Sequence, residues 1–204
     1  MDPFYYYTIE QPSMAEFKDR GSKFLAFAYP AKDIDTCKKL LAQLKKEYGK
    51  AVHYCLAYRL GVDGSTFRVS DNGEPAGSAG RPILGQIDSK GLTNVFVVVV
   101  RYFGGTLLGI PGLINAYKTA TALALQLSPI IKKPIEIPYE LNFDYHQMNE
   151  VMMLVKHYNC SVVEQTAQLF IQLHIGIPKN RLDEVLEKLG TLRDVTIKTT
   201  LKVD

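Results

Sequence analysis

Cysteine is scarce in this chain. Cys37, Cys55 and Cys160 are the only three among 204 residues. An odd count with no close pair argues against a disulfide framework and for a reducing compartment. There is no C-x-x-C, and His53, His146, His157 and His174 are scattered, so no zinc spacing can be read and no metal is expected. The opening MDPFYYYTIE carries an acid and a proline where a secretory signal needs basic charge and an apolar run. No apolar stretch approaches the ~20 residues of a membrane span. Two phosphate-binding fingerprints are also missing. No glycine is followed by Lys and then Ser or Thr in the Walker A frame, and no two glycines of the central cluster stand two apart, as G-x-G-x-x-G requires. The expectation is a soluble cytoplasmic protein with no membrane partner and no cofactor.

Net charge is small but unevenly placed. Residues 1–133 hold 17 Lys and Arg against 11 Asp and Glu, a net of +6; residues 134–204 hold 7 against 10, a net of −3. Such asymmetry fits a polyanionic partner for the basic half, or ordinary solubility, since the charges form no single run.

What the chain has in excess is glycine in one place. Nine of its fifteen glycines lie between Gly73 and Gly112. The stretch reads DNGEPAGSAGRPILGQ, a spacer, then VFVVVVRYFGGTLLGIPGLINAY. Val95 to Val100 is a continuous apolar run and reads as a strand buried on both faces. A glycine loop precedes it, a second follows, and a helix is expected from near Pro111, with Leu113, Ala116, Tyr117, Ala120, Leu123, Ala124 and Leu127 on its buried side.

The flanking pattern predicts strands over Tyr5–Glu10, Phe24–Tyr29, Ala51–Leu60 and Thr66–Ser70, with a charged turn over Lys18–Lys23. A helix capped by Asp33 or Asp35 runs to Gly49, and a short one covers Ile83–Ile87. Pro134 and Pro138, placed where the charge changes sign, mark a boundary that divides the chain into domains 1–133 and 138–204. Beyond it a strand, a helix, two strands (the second over Gln168–Ile177, with Leu169, Ile171, Leu173 and Ile175 alternating), a helix and a last strand over Val195–Leu201 give βαββαβ, the ferredoxin-like order.

Several residues of the central stretch invite chemistry. Gly77-Ser78-Ala79-Gly80 could form an anion nest, or merely a tight turn. Asp71 and Glu74 could be an acid/base pair or a metal site; equally, Asp71-Asn72-Gly73-Glu74 is turn chemistry. Ser78 could be exposed but has no base near it in sequence. His53 reads as a hydrogen-bonded structural group and Cys55 as a small buried hydrophobe. Arg101 followed by Tyr102 and Phe103 could bind phosphate while the rings stack on bases, or the rings could cover the sheet end. Arg81 and Lys118 flank the two loops and could extend a positive surface.

DNGEPAGSAGRPIL followed by VVVVRYFGGTLLGIPGLINAY resembles the signature of the IMPACT family, near its bacterial members. Phe17–Phe24, His53-Tyr54-Cys55-x-Ala57-Tyr58 and Tyr145-His146-Gln147 add to the resemblance, which spans essentially the whole chain. The Asp19-Arg20-Gly21 run departs from the shorter, more basic run common in relatives. The resemblance implies a first domain similar to elongation factor G domain IV and the GHMP kinases, and a second similar to the ferredoxin-like last domain of elongation factor G. It implies a role in translation, since eukaryotic relatives regulate it under amino-acid stress by competing for the activator of a translation-factor kinase. It supplies no catalytic residue.

The reading is an α+β, two-domain, translation-associated regulator that binds RNA or the ribosome without catalysis, with a protein partner in translation control also open. Arg81, Arg101, Tyr102, Phe103, Gly104, Gly105 and Lys118 form its nucleic-acid or phosphate surface, and Asp71, Gly73, Glu74, Pro75, Gly77, Ser78 and Gly80 its signature loop. The alternative is an enzyme that takes a small phosphorylated ligand or nucleotide at the glycine loops.

Overall fold

The computed structural model describes residues 2–167 and 169–200. The chain divides into two compact units, one of residues 6–133 and one of residues 134–200 together with Asp2–Tyr5. The expected strand residues Gln168 and Leu201 lie outside the described residues.

In chain order the first unit and its borders carry β1 (Tyr5–Ile9), β2 (Ser13–Asp19), β3 (Ser22–Pro30), α1 (Ile34–Glu47), β4 (His53–Leu60), β5 (Thr66–Ser70), α2 (Gly80–Ser89), β6 (Val95–Tyr102), α3 (Gly109–Gln126) and β7 (Ile130–Pro134). Five strands form an antiparallel sheet in the order β2-β3-β6-β4-β5, and β1 pairs with β7 in a separate ribbon. The valine run sits at the centre of the large sheet. Val98 pairs with Phe27 on one side and Leu56 on the other. Side chains alternate across a strand, so Val95, Val97 and Val99 enter the core beneath α2 and α3, while Phe96, Val98 and Val100 enter the core beneath α1. Helices on both faces explain why the run has no polar alternation.

Helix α1 begins as expected: Asp33 accepts from the Thr36 N–H at 2.7 Å and caps it. Helix α3 begins two residues before its proline, which occupies the third helical position rather than the first. The substitution is harmless there because the first four N–H groups of a helix have no internal partner.

Two strands escape a reading by pattern. Only Ala15 of β2 is buried, so this edge strand shows no apolar alternation. Its turn to β3 uses Arg20 and Gly21, both at positive φ, as a two-residue hairpin joins strands. The segment around Pro134 and Pro138 is likewise not an irregular linker. Pro134 ends β7, and Pro138 lies within β8 (Glu136–Phe143). The last strand of the chain, Thr196–Thr199, covers only Tyr139–Asn142 of β8, so at Pro138 one side of the strand is an edge that tolerates a missing N–H.

The second unit continues with α4 (Met148–His157), β9 (Ser161–Ala167), β10 (Ile171–Pro178), α5 (Leu182–Gly190) and β11 (Thr196–Thr199). Its antiparallel sheet has the order β11-β8-β10-β9. Leu141, Phe143, Leu173 and Ile175 pack with Val151, Val155, Val185 and Leu189 of α4 and α5. The alternation in β10 starts at Ile171; Leu169 lies in the bend before it and is 93% exposed. Among the described residues, no helix is long and apolar enough to cross a membrane.

Candidate functional site

The first glycine loop leaves β5 at Asp71 and returns as α2. Asp71 holds its far end. Its Oδ2 accepts from the Gly77 N–H at 2.9 Å, and its Oδ1 from the N–H groups of Ala79 at 3.0 Å and Gly80 at 2.8 Å. Burial alone would push this carboxyl up, but the three N–H donors outweigh it and hold it below the usual carboxylate range. The N–H groups that could have cradled a phosphate are thus already bonded to a carboxylate of the same loop. Asn72 holds the near end: its Oδ1 accepts from the Tyr54 N–H at 2.7 Å, and its carbonyl meets His53 Nδ1 at 2.8 Å. A carbonyl oxygen can only accept, so Nδ1 carries the proton.

Glu74 turns inward, its side chain 4% exposed. One oxygen, Oε1, receives Arg101 Nη1 at 2.6 Å and the Tyr117 hydroxyl at 2.7 Å, and stands 4.0 Å from His53 Nε2. The other terminal nitrogen of Arg101 reaches Ser22 Oγ at 3.3 Å, and the same hydroxyl oxygen accepts the Gly104 N–H at 3.2 Å. Cys55 Sγ lies 3.2 Å from the Tyr117 hydroxyl and 2.9 Å from the Asp71 carbonyl. Phe24 backs the cluster, edge-on to Tyr117 and beneath the Arg101 guanidinium. Burial raises the Tyr117 hydroxyl far above the usual phenol range, with Cys55 and Glu74 beside it adding to the effect. Burial likewise pushes the Cys55 thiol up to about 12. Both groups therefore stay protonated near neutrality. The cluster ties β3, β4, β6, α3 and both glycine loops to one carboxylate.

The second loop needs its two glycines for different reasons. A Cβ on Gly104 would fall inside the Gly21–Ser22 peptide of the β2–β3 turn, whereas Gly105 has φ +83° and open space beside it. On either side of them lie exposed apolar residues: Phe103 is 47% exposed, Leu107 83%, and Ile110 and Ile114 are exposed one turn apart on α3. Arg81 and Lys118 are exposed as well.

The structure therefore separates the residues that the sequence groups together. Arg101 is only 4% exposed and its charge is met by Glu74, so it does not stand on the surface as a phosphate ligand. Its Nε is buried with no hydrogen-bond partner among the described residues. Ser78 is fully buried and donates to the Pro75 carbonyl at 2.6 Å. Tyr102 is half-buried beneath α1's side of the sheet. Gly73 and Gly77 both have positive φ. Among the described residues, no group of three His, Cys, Asp or Glu could hold a metal ion. Sequence reasoning missed Ser22 and the polar use of Tyr117, which lie 79 and 43 residues from the groups they bind. It also missed the exposed Leu107, Ile110 and Ile114, whose spacing gave a usable signal: Ile110 and Ile114 share a helix face that the buried set does not include.

Comparisons with known proteins agree with the signature. The family model described as the Impact N-terminal domain matches residues 20–125. The Escherichia coli IMPACT family member YigZ is 33% identical over 84% of this chain and 85% of its own length. A Haemophilus influenzae IMPACT family member is 32% identical over 83% and 84%. A crystal structure of a hypothetical protein superposes with a TM-score of 0.76 at 27% identity, covering 98% of both chains. A domain match over half the chain, with whole-length relatives above 30% identity, makes this chain a YigZ-like member of the IMPACT family.

Proposed function

We propose that this protein is a cytoplasmic, translation-associated regulator that binds RNA or the ribosome and performs no catalysis. Membership of the IMPACT family supports the link to translation that the sequence resemblance implies, and a part in stress control is proposed with it. The observation that carries the binding reading is the edge of the second glycine loop. There Phe103 stands half-exposed beside the exposed backbone of Gly104 and Gly105. Arg81 and Lys118 supply exposed positive charge at the start of α2 and within α3. An aromatic face takes a base by stacking, glycine lets backbone come close to phosphate, and cations offset its charge. Arg101, buried behind the Phe103 ring at 5.6 Å, positions that ring.

The same reading keeps residues 1–133 and 138–204 as two domains. It assigns the first to the fold of elongation factor G domain IV and the GHMP kinases, and the second to the ferredoxin-like class. Support for the latter is the βαββαβ order with strand order β11-β8-β10-β9.

Fluorescence anisotropy with a labelled single-stranded RNA, run across a salt range, tests the binding reading. Arg81→Ala and Lys118→Ala should each weaken binding and lower the salt slope by about 0.7. Phe103→Ala should cost about 1–3 kcal/mol with little change in slope. Salt-independent binding, or three variants that bind like the parent, would refute it. Nucleotide hydrolysis abolished by Glu74→Gln in a folded variant would establish the enzymatic alternative instead.

A further inference from the structure

The sheet face opposite the glycine loops carries a cleft of its own. Helix α1 lies over that face, and a cavity of about 240 Å³ opens between it, β4 and the edge strand β5. Its apolar floor includes Leu41, Leu56 and Tyr58. Lys38, Leu41 and Lys45 approach from one face of α1 at helical spacing, while Arg68, Ser70 and Asn72 approach from β5 and the start of the loop. Three cations thus line one small cavity, and among the described residues no carboxylate lines it. Asp35 bonds Lys38 at 3.0 Å, but both side chains are more than two-thirds exposed, so that pair is weak. Lys45 Nζ sits 5.8 Å over the Tyr54 ring, at the wall of the cleft. Ser70 adds a hydroxyl, and Asn72, whose Oδ1 is taken by the Tyr54 N–H, keeps its amide NH₂ as a donor.

A lip of cations and neutral donors over an apolar, aromatic floor selects a ligand with a compact anionic end and a flat apolar end. The cavity is partly open to solvent, so its 240 Å³ takes the phosphate and one face of the base while the rest of the ligand lies outside. From this geometry we infer that the cleft binds a free mononucleotide, its phosphate between Lys38, Lys45 and Arg68 and its base against Leu41 and Tyr54. The site is independent of the RNA surface proposed above. It adjoins the signature loop, because Asn72 lines the cleft and also bonds His53 and Tyr54.

Isothermal titration of the full chain with AMP, UMP, adenosine and inorganic phosphate tests the inference. One equivalent of AMP or UMP should bind, and more tightly than either adenosine or phosphate. Lys45→Ala and Arg68→Ala, both exposed and outside the cores, should each lower the affinity roughly ten-fold or more, the worth of one charge-assisted bond. Arg81→Ala and Lys118→Ala should leave it unchanged. Three results would overturn the assignment: no binding of either nucleotide at millimolar concentration, phosphate binding as tightly as AMP, or affinity lost in Arg81→Ala but kept in Arg68→Ala. A 5′-phosphorylated RNA oligomer that binds this cleft more tightly than AMP would also overturn it, by moving the ligand to an RNA end. RNA binding lost in Arg81→Ala while AMP binding persists would show the two surfaces to be separate.

Discussion

Replacing Arg101 by Ala tests the central assignment, that this arginine is a structural partner of Glu74 and not a surface ligand. The two side chains are 5% and 4% exposed and meet at 2.6 Å. Removing the guanidinium leaves the Glu74 carboxylate buried with the Tyr117 hydroxyl at 2.7 Å and the His53 ring nitrogen no nearer than 4.0 Å. Breaking one side of a buried pair costs about 3–5 kcal/mol, because the remaining charge has no compensation. Loss of the guanidinium from the Phe24 and Phe103 rings adds to this. A domain holds only about 5–15 kcal/mol in total, so the variant should be near the edge of folding at 37 °C. Urea unfolding of the full chain, followed by circular dichroism, reads the change in the transition of residues 6–133. Arg101→Met combined with Glu74→Gln should be more stable than Arg101→Met alone, since the double change removes the stranded charge. A loss below about 1 kcal/mol in Arg101→Ala is what an exposed ion pair would give. It would refute the reasoning.

Three further outcomes follow from the geometry. Gly104→Ala should destabilise the first unit more than Gly105→Ala does: the former drives a methyl into the Gly21–Ser22 backbone, while the latter meets only the strain of positive φ, about 1 kcal/mol. Paired urea titrations give the ranking, and the reverse order would contradict it. Asp71 has a carboxyl held below its ordinary value, so its contribution is present above a pH of about 4 and disappears as pH falls through the lower native value. Asp71→Asn should therefore flatten the acid limb of a stability–pH profile; an unchanged limb would place the lost stability elsewhere. Cys55, with its thiol at about 12, should resist alkylation at pH 8 until the protein is unfolded, which mass spectrometry with a thiol reagent can follow. Modification of Cys55 in the folded protein would show that the core around Tyr117 opens.

The central valine strand, helix α1 with its Asp33 cap and the βαββαβ order of the second unit are all written locally. Each rests on a run of side chains whose spacing matches one periodicity, and periodicity survives in a linear sequence. Strand β2 is invisible for the opposite reason: an edge strand with one buried residue has no pattern to show. The candidate site divides along the same line. Glycine density in the sequence marked where backbone conformation is special. It could not say that Gly104 is required by a turn 83 residues earlier in the chain, or that the N–H groups after Gly77 are taken by Asp71. Arg101 beside two aromatics reads equally well as a phosphate ligand or a buried ion. The choice depends on whether Glu74 folds inward, and that is fixed by α3 bringing the Tyr117 hydroxyl to the same oxygen. Residue type determined that a charge must be met at this position; only the tertiary structure decided which charge meets it, because burial and long-range proximity have no trace in local spacing.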